Sequence, residues 1–228
     1  MLANLLGKNF VRKQYLKNTS SSVMKKFYGC PFPDKNNSIN EVELIAIDFE
    51  TTGLDLKKDH VISIGTVDVV NLGVELQSAY HQLISSDHKL SETSVVIHQI
   101  TDNALAEGEN IEVALPRLLE HLSGKVLLAH NANVEMGFLN KMCLELYDTK
   151  FMMPVIDTQF LAKRSFERKN TGFKGTELRL FNLRDSLNMP AFKAHNALMD
   201  AIATAELFLA LASKISPKSN ARLKEFLM

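Results

Sequence analysis

The order of apolar and polar positions predicts a chain that alternates between short strands and amphipathic helices. An apolar run from about residue 42 ends at Phe49, and two more runs follow near 61–70 and 73–84, joined around a glycine turn. Runs of this length and β-branched content are typical of strands, and the short connections predict a meander of three antiparallel strands. Later strands should then add in parallel through crossover helices. These later elements are expected as strands near 125–129 and 154–157 and helices near 111–122, 134–147, 158–167 and 219–227.

The first 33 residues differ from the rest of the chain because they contain basic but no acidic residues. Apolar residues interleave with these charges at partly helical spacing, which allows three interpretations. The segment is a helical extension packed on the main domain, a basic segment that contacts nucleic acid or a partner, or a transit peptide. We therefore expect an N-terminal basic, helical extension (1–40), an α/β main domain (41–214) and a C-terminal helical tail (215–228). The basic residues are Lys8, Arg12, Lys13, Lys17, Lys25 and Lys26.

Composition narrows the class of protein without indicating a substrate. The chain has 228 residues, 46% of them hydrophobic, which suits one α/β domain of ordinary size with an appendage. The formal net charge is zero, so nothing in the overall charge indicates nucleic-acid binding. Cys30 and Cys143 lack the spacing of a disulfide framework or zinc site, which favours a reducing, cytoplasmic location. No apolar run approaches the length of a membrane span, so we expect no membrane partner.

The most informative stretch is the end of the first predicted strand, where Asp48 and Glu50 precede a Thr-Thr-Gly turn. Side chains alternate across a strand, so these two carboxylates point to the same side. Like charges held together repel each other unless a cation lies between them, and hard oxygen ligands at this spacing suit Mg²⁺ or Mn²⁺. A strand that merely ends in acidic residues would show the same pattern, so this motif needs support from others.

Two downstream stretches supply carboxylates and histidines in a similar setting. A short apolar run ends at His130, and Glu135 then lies in the first turn of a predicted helix, where the helix dipole favours a carboxylate. His195 and Asp200 are five residues apart, which is roughly 140° around a helix, so they could not easily serve one site if both were helical. We therefore expect His195 in a loop, Asn196 near the helix N-cap and Asp200 within the helix.

Together these three stretches resemble the DEDDh family of 3′→5′ exonucleases, which includes the epsilon proofreading subunit of DNA polymerase III. The family's first motif, D-x-E-T-T-G, matches residues 48–53, and its third, H-x-A-x-x-D, matches residues 195–200. The second, H-N-x-x-F-D-x-x-F-L, matches residues 130–139 except that Glu135 replaces the usual Asp and Val134 replaces a common Phe. Smaller matches lie at 97–101 (H-x-I-T) and 155–158 (V-x-D-T), and the resemblance spans about residues 43–213.

The resemblance implies a ribonuclease-H-like mixed β-sheet flanked by helices and a phosphodiester hydrolase that uses two Mg²⁺ or Mn²⁺ ions. It implies that Asp48 bridges the two ions. Glu50 and Asp200 would complete the coordination of the ion that activates water. Glu135 would help to hold the second ion, often through water. His195 carries an imidazole suited to accept the proton from the attacking water. Substrate contacts are implied for Thr51, Gly53, Leu54, His98, Asn131 and Phe138.

The function that follows is a metal-dependent 3′→5′ exonuclease acting on single-stranded 3′ ends, with DNA favoured over RNA and a polymerase as a candidate partner. Two alternatives stay open. An exoribonuclease would need a contact to the 2′-OH, which the sequence does not assign. Glu135 motivates the other alternative, because one extra methylene moves the carboxylate by about 1.5 Å. If Glu135 is only a solvated residue favoured by the helix dipole, the cleft would serve as a catalytically weak binding module.

Three smaller features have two interpretations each. His98 either lies near the terminal nucleotide or belongs to a helical turn held by apolar anchors. Asp157 ends a predicted strand, so it either supports the site or caps the helix that follows. The stretch 163–175 mixes basic and aromatic residues around glycines, so it either follows a nucleic-acid backbone or only connects two helices.

Overall fold

A computed structural model describes residues 7–86, 100–168, 170, 172–192, 194–216 and 221–228. Within this part, five strands form one mixed sheet in the order β3-β2-β1-β4-β5. The sheet is antiparallel from β1 through β2 to β3 and parallel from β1 through β4 to β5. The strands are β1 (Leu44–Thr51), β2 (Val61–Val70), β3 (Gly73–Leu83), β4 (Val126–Ala129) and β5 (Val155–Asp157).

Helices flank this sheet, so the predicted ribonuclease-H-like architecture of a meander followed by parallel strands is confirmed. The described helices are α1 (Lys8–Asn18), α2 (Ser22–Gly29), α3 (Asp102–Ala106), α4 (Ile111–Leu122), α5 (Asn133–Tyr147), α6 (Thr158–Arg168), α7 (Leu180–Ser186) and α8 (Ala197–Ile215). Short 3-10 helices occur at Ile39–Glu41, Gly175–Leu178 and Leu223–Glu225. Among the described residues, none of the helices combines the length and the apolar character required to span a membrane.

Alternation along β1 divides the hydrophobic core into two parts. Ile45 and Ile47 pack on one face with α4 and α5, and Ala46 packs on the other face with α8. Both faces of the strand are buried, which explains why its first four residues, Leu44 to Ile47, are all apolar. Because side chains alternate, Asp48 and Glu50 continue the face of Ala46, and β1 therefore presents its carboxylates on the side of α8.

The N-terminal helices α1 and α2 pack on the main domain. The Tyr28 hydroxyl is within the core and donates a hydrogen bond to the Lys150 carbonyl at 2.6 Å. The hydroxyls of Thr19 and Thr149 share a buried hydrogen bond of 2.7 Å. The buried guanidinium of Arg12 donates to the carbonyl of Tyr28, which joins α1 to α2. One basic residue of this segment thus has a structural role.

The C-terminal segment differs from the helix expected near 219–227. Its described part contains the 3-10 helix Leu223–Glu225, and the buried Phe226 ring packs edge-on against Phe208 of α8. Leu227 bridges to Ile156, and the Met228 N–H donates to the Val155 carbonyl at 3.2 Å. The edge of β5 offers backbone partners that the described residues of this segment use instead of helical ones. The segment therefore covers that edge.

Candidate active site

Two carboxylates meet at the end of β1, on the side of the sheet that faces α8. Glu50 is buried and Asp48 is partly buried. In the antiparallel register they lie opposite Ser63 and Gly65 of β2, respectively. The predicted juxtaposition of two acidic side chains on one face therefore follows from the regular pleat of the strand.

The start of α8 brings a third carboxylate to the same side. Asn196 caps the helix, and its side-chain oxygen accepts a hydrogen bond from the Met199 N–H at 3.1 Å. Asp200 lies in the first turn, where its Oδ2 accepts from the His195 backbone N–H at 2.8 Å. His195 has a left-handed φ of 65° and lies just before the cap. The structure thus places His195 in a loop and Asp200 in the helix, as the sequence predicts.

Asp48, Glu50 and Asp200 form a candidate cation site, because one side-chain oxygen of each lies within 4.8 Å of the others. Burial raises the pKa of Asp48 well above its ordinary value, and the negative charges of the neighbouring carboxylates raise it further. Burial and the charge of Glu50 raise the pKa of Asp200 to about 6, although its backbone hydrogen bonds act in the opposite direction. The three carboxylates therefore repel one another when all are ionised.

Glu135 approaches this site from the first turn of α5. Its side chain is 3% exposed, and its Oε2 has no hydrogen-bond partner among the described residues. Burial raises the pKa of Glu135 to about 8, and the negative charge of Asp157 adds to the rise. Glu135 also raises the pKa of Asp48 through its charge. Glu135 is therefore a buried neighbour of the site, and the interpretation of it as a solvated residue is wrong.

We refer to Asp48, Glu50, Glu135 and Asp200 as the acidic cluster, and its donor set fits a hard divalent cation. Within the described part of the chain, no lysine or arginine forms an ion pair with Asp48, Glu135 or Asp200. Burying carboxylates without a counter-charge is costly, and a cation held between them would offset that cost. Mg²⁺ and Mn²⁺ prefer such oxygen ligands, so the residues present are suited to either ion.

Gly65 lets α8 approach the sheet closely enough to complete this cluster. A Cβ atom at Gly65 would lie 2.1 Å from the carbonyl carbon of Ala197, the first residue of α8. No side chain fits in that space, so glycine is required where the helix crosses β2. The sequence prediction missed this role. Its signal was a glycine inside an apolar strand run, which often marks a close approach of another backbone.

Asp157 at the end of β5 has both of the roles that the sequence left open. Its Oδ1 accepts hydrogen bonds from the Asn131 N–H at 3.1 Å and from the Gln159 N–H at 2.8 Å, and its Oδ2 accepts from the Ala132 N–H at 3.0 Å. It therefore caps the start of α6 and also holds the turn before α5. Asn131 has a left-handed φ of 64° in that turn. Glu135 lies four residues after Asn131, so by holding this turn Asp157 helps to position Glu135.

The other residues predicted to contact substrate lie in different environments. Thr51 is buried at the end of β1, and Gly53 and Leu54 follow in the next loop, with Leu54 74% exposed. Phe138 is only 1% exposed, because its helical spacing turns it toward the core, so it offers almost no accessible surface to a substrate. His98 lies outside the described residues. Among these residues, Leu54 in the loop after β1 therefore exposes the most surface to a substrate.

The aromatic residues of the stretch 163–175 pack against each other. The rings of Phe166 and Phe173 stack with centroids 5.5 Å apart and lie against the core on the α8 side. The Arg164 guanidinium donates to the Glu225 carbonyl at 2.5 Å. These contacts favour a structural, connecting role for this stretch over one in binding nucleic acid.

This chain matches the family model described as Exonuclease (RNase T) over residues 45–208. DNA polymerase III PolC-type from Thermotoga maritima is 30% identical over 190 residues, which are 83% of this chain and 13% of that protein. Exonuclease X in complex with 5′ overhanging duplex DNA has a TM-score of 0.60 and 23% identity, covering 80% of this chain and 98% of that chain. The nuclease domain of 3′hExo, a DEDDh family member, bound to rAMP, has a TM-score of 0.63 and 14% identity, covering 82% of this chain and 98% of that chain.

Proposed function

We propose, because this chain belongs to the exonuclease family, that it hydrolyses single-stranded DNA from the 3′ end and releases nucleoside 5′-monophosphates. The observation that supports this best is the acidic cluster, in which oxygens of Asp48, Glu50 and Asp200 lie within 4.8 Å of one another. Burial and the charges of neighbouring carboxylates raise the pKa of Asp48, at the end of the central strand, and of Asp200, so we attribute this grouping to function rather than to stability.

The acidic cluster would hold two divalent cations in this proposal. Such ions, when bound, turn water into a nucleophile and neutralise charge on the attacking and leaving oxygens. Asp48, Glu50 and Asp200 supply the close set of oxygens, and the buried Oε2 of Glu135 supplies one more. Glu135 is longer than the usual Asp, and a ligand that acts through retained water tolerates that extra length best.

His195 is the proposed general base. Its backbone N–H donates a hydrogen bond to Asp200 Oδ2 at 2.8 Å. The proposed base and a proposed cation ligand therefore both lie at the N-terminus of α8. This hydrogen bond keeps the His195 backbone next to the cluster, which supports the role because proton transfer requires hydrogen-bond contact with the attacking water. We expect His195→Ala to lose most of its turnover and to keep metal and substrate binding.

DNA is the first choice of substrate because the curated relative is a DNA polymerase and exonuclease X is bound to DNA. RNA is the second choice, since the 3′hExo domain carries rAMP on a similar fold. The chain spans only 13% of the PolC-type relative. Because that relative is named a DNA polymerase, a polymerase is the partner that we propose. Size-exclusion chromatography with a candidate replicative polymerase would test that association.

The decisive experiment compares 5′-labelled single-stranded DNA and RNA of identical sequence in Mg²⁺, Mn²⁺ and EDTA. We expect a metal-dependent ladder that shortens from the 3′ end, faster with DNA, and absent in Asp48→Asn. A faster reaction with RNA would select the exoribonuclease. If neither polymer is cleaved although the cations bind, the nuclease proposal is rejected and the binding module takes its place.

A further inference from the structure

The carboxylate of Asp59 ties together the loop between β1 and β2. Its Oδ1 accepts a hydrogen bond from the Thr52 hydroxyl at 3.1 Å, and its Oδ2 accepts from the Asp55 N–H at 2.7 Å. A Cβ atom at Gly53 would lie 2.5 Å from Asp59 Oδ2, so the carboxylate occupies the space that any other residue at position 53 would need. Asp59 therefore fixes the backbone that directly follows Thr51.

Helix α5 holds this loop at two further points. The Lys141 ammonium donates to the Asp59 carbonyl at 2.7 Å, and its side chain is only 12% exposed. A Cβ atom at Gly137 would lie 2.9 Å from Leu56 Cδ1, so the missing side chain lets the loop rest on the helix. The same helix carries Glu135 in its first turn. The loop and the helix that bears a cluster residue are thus joined as one unit.

Leu54 is the residue that this arrangement presents to solvent. It is 74% exposed although it is large and apolar, and it lies four residues after Glu50 in the chain. Single exposed leucines are common and need no explanation by themselves. Here, however, the loop backbone on both sides of Leu54 is held by hydrogen bonds, so less entropy is lost when Leu54 packs against an unstacked base.

We propose that Asp59 and Lys141 are positioning residues that hold Leu54 against the terminal nucleotides of the substrate strand. This inference rests on the proposed function, because it assigns the contact to a single-stranded 3′ end. Neither residue touches the substrate in this account. Lys141 acts through the Asp59 carbonyl, and Asp59 acts through the Thr52 hydroxyl and the Asp55 N–H.

A double-mutant cycle between Lys141→Met and Leu54→Ala tests this coupling. Methionine keeps the apolar stem of lysine and removes the ammonium, and with it the hydrogen bond to Asp59 and the 3.9 Å ion pair with the exposed Glu145. We expect each single variant to raise KM for single-stranded DNA about tenfold with a smaller change in kcat, since a small displacement of a contact weakens binding. The KM of the double variant should equal that of Leu54→Ala, because without the leucine side chain Lys141 has nothing left to position. Lys58→Met is the matched control, since its side chain is 75% exposed in the same loop.

Three measurements distinguish a loss of folding from a loss of positioning. Thermal melting and Mn²⁺ binding should be nearly unchanged in Lys141→Met, and binding of fluorescent single-stranded DNA in EDTA should weaken about tenfold. If Lys141→Met does not fold, Asp59→Asn replaces it in the cycle. Effects of Lys141 and Leu54 that multiply in an active enzyme reject the inference and leave the proposed function intact. A wild-type protein without nuclease activity rejects both.

Discussion

Two groups of buried charges on this sheet differ in how their charge is balanced. The Asp68 cluster (Asp68, His121 and Lys125) lies on the α4 side, where the Lys125 ammonium is 2.8 Å from both carboxylate oxygens and His121 Nε2 is 3.3 Å from one. Burial alone would raise the pKa of Asp68, but these hydrogen bonds outweigh it and the pKa is lowered. In the acidic cluster, Asp48, Glu135 and Asp200 show the opposite shift, with the pKa of Glu135 raised to about 8.

The direction of the pKa shift indicates whether ionised carboxylates stabilise the fold, as in the Asp68 cluster, or destabilise it, as in the acidic cluster. A lowered carboxyl pKa means that the folded state favours the charge, and a raised one means that it resists the charge. The Asp68 cluster carries its counter-charges within the chain, whereas within the described part of the chain no lysine or arginine forms an ion pair with Asp48, Glu135 or Asp200. Charges that a fold leaves uncompensated are characteristic of functional sites.

Removing Asp48 should have the largest effect on this contrast. Asp48→Asn keeps the shape of the side chain and removes a central charge, so we expect nuclease activity to fall by about 10³-fold or more. In EDTA, the same variant should melt about 2–4 °C higher, which corresponds to about 1 kcal/mol of relieved repulsion. Calorimetry should also show that Mn²⁺ stabilises the wild type and not the variant. Glu43→Gln, an exposed carboxylate before β1, is the control.

Moving α8 should damage the acidic cluster without changing its charge. Gly65→Ala places a Cβ 2.1 Å from Ala197, so the helix start that carries Asp200 must shift. We expect about a 100-fold loss of kcat and a loss of about 1–3 kcal/mol in the free energy of unfolding. Gly73→Ala is the matched control, because its Cβ would be 3.4 Å from the Val70 carbonyl. Equal activity of the two variants would contradict this role.

Substitutions at Glu135 test whether this residue is a metal ligand or only a neighbour of the other carboxylates in the acidic cluster. Glu135 is buried, and its charge acts on Asp48. We therefore expect Glu135→Ala to lose about tenfold or more in kcat/KM. Glu135→Asp should stay within about threefold of the wild type, since a ligand that acts through water adapts to length. Steady-state rates over a Mg²⁺ titration would measure both. An alanine variant as active as the wild type at low Mg²⁺ would exclude Glu135 as a ligand.

Breaking the Asp68 cluster should affect stability and leave activity unchanged. Asp68→Asn leaves a largely buried Lys125 without its counter-charge, and we expect a loss of about 1.5–3 kcal/mol at pH 7. A carboxyl whose pKa is lowered on folding stabilises the protein above the unfolded pKa of about 3.9, and that stability disappears as pH falls through the folded value. Urea unfolding at pH 7 and pH 3 should therefore show a difference that shrinks at the lower pH.

The sequence alone predicted most of the secondary-structure elements and the exonuclease family of this protein. Strand and helix patterns depend on neighbouring residues, so the meander, the parallel strands and the approximate limits of α4 to α6 were predictable. The three acidic motifs were predictable for a related reason, because alternation along β1 and the N-cap before α8 are local rules. Asp48, Glu50 and Asp200 therefore belong to the part that could be read without coordinates.

Only the tertiary structure decided what depends on distant segments meeting. The burial of Glu135, the space that Gly65 leaves for α8 and the double role of Asp157 arise from contacts between residues far apart in the chain. The C-terminal segment was misjudged for the same reason, since the edge of β5 competes with weak helical propensity there. Local patterns record which face of an element is apolar, but not which element it will meet or how close the two backbones come.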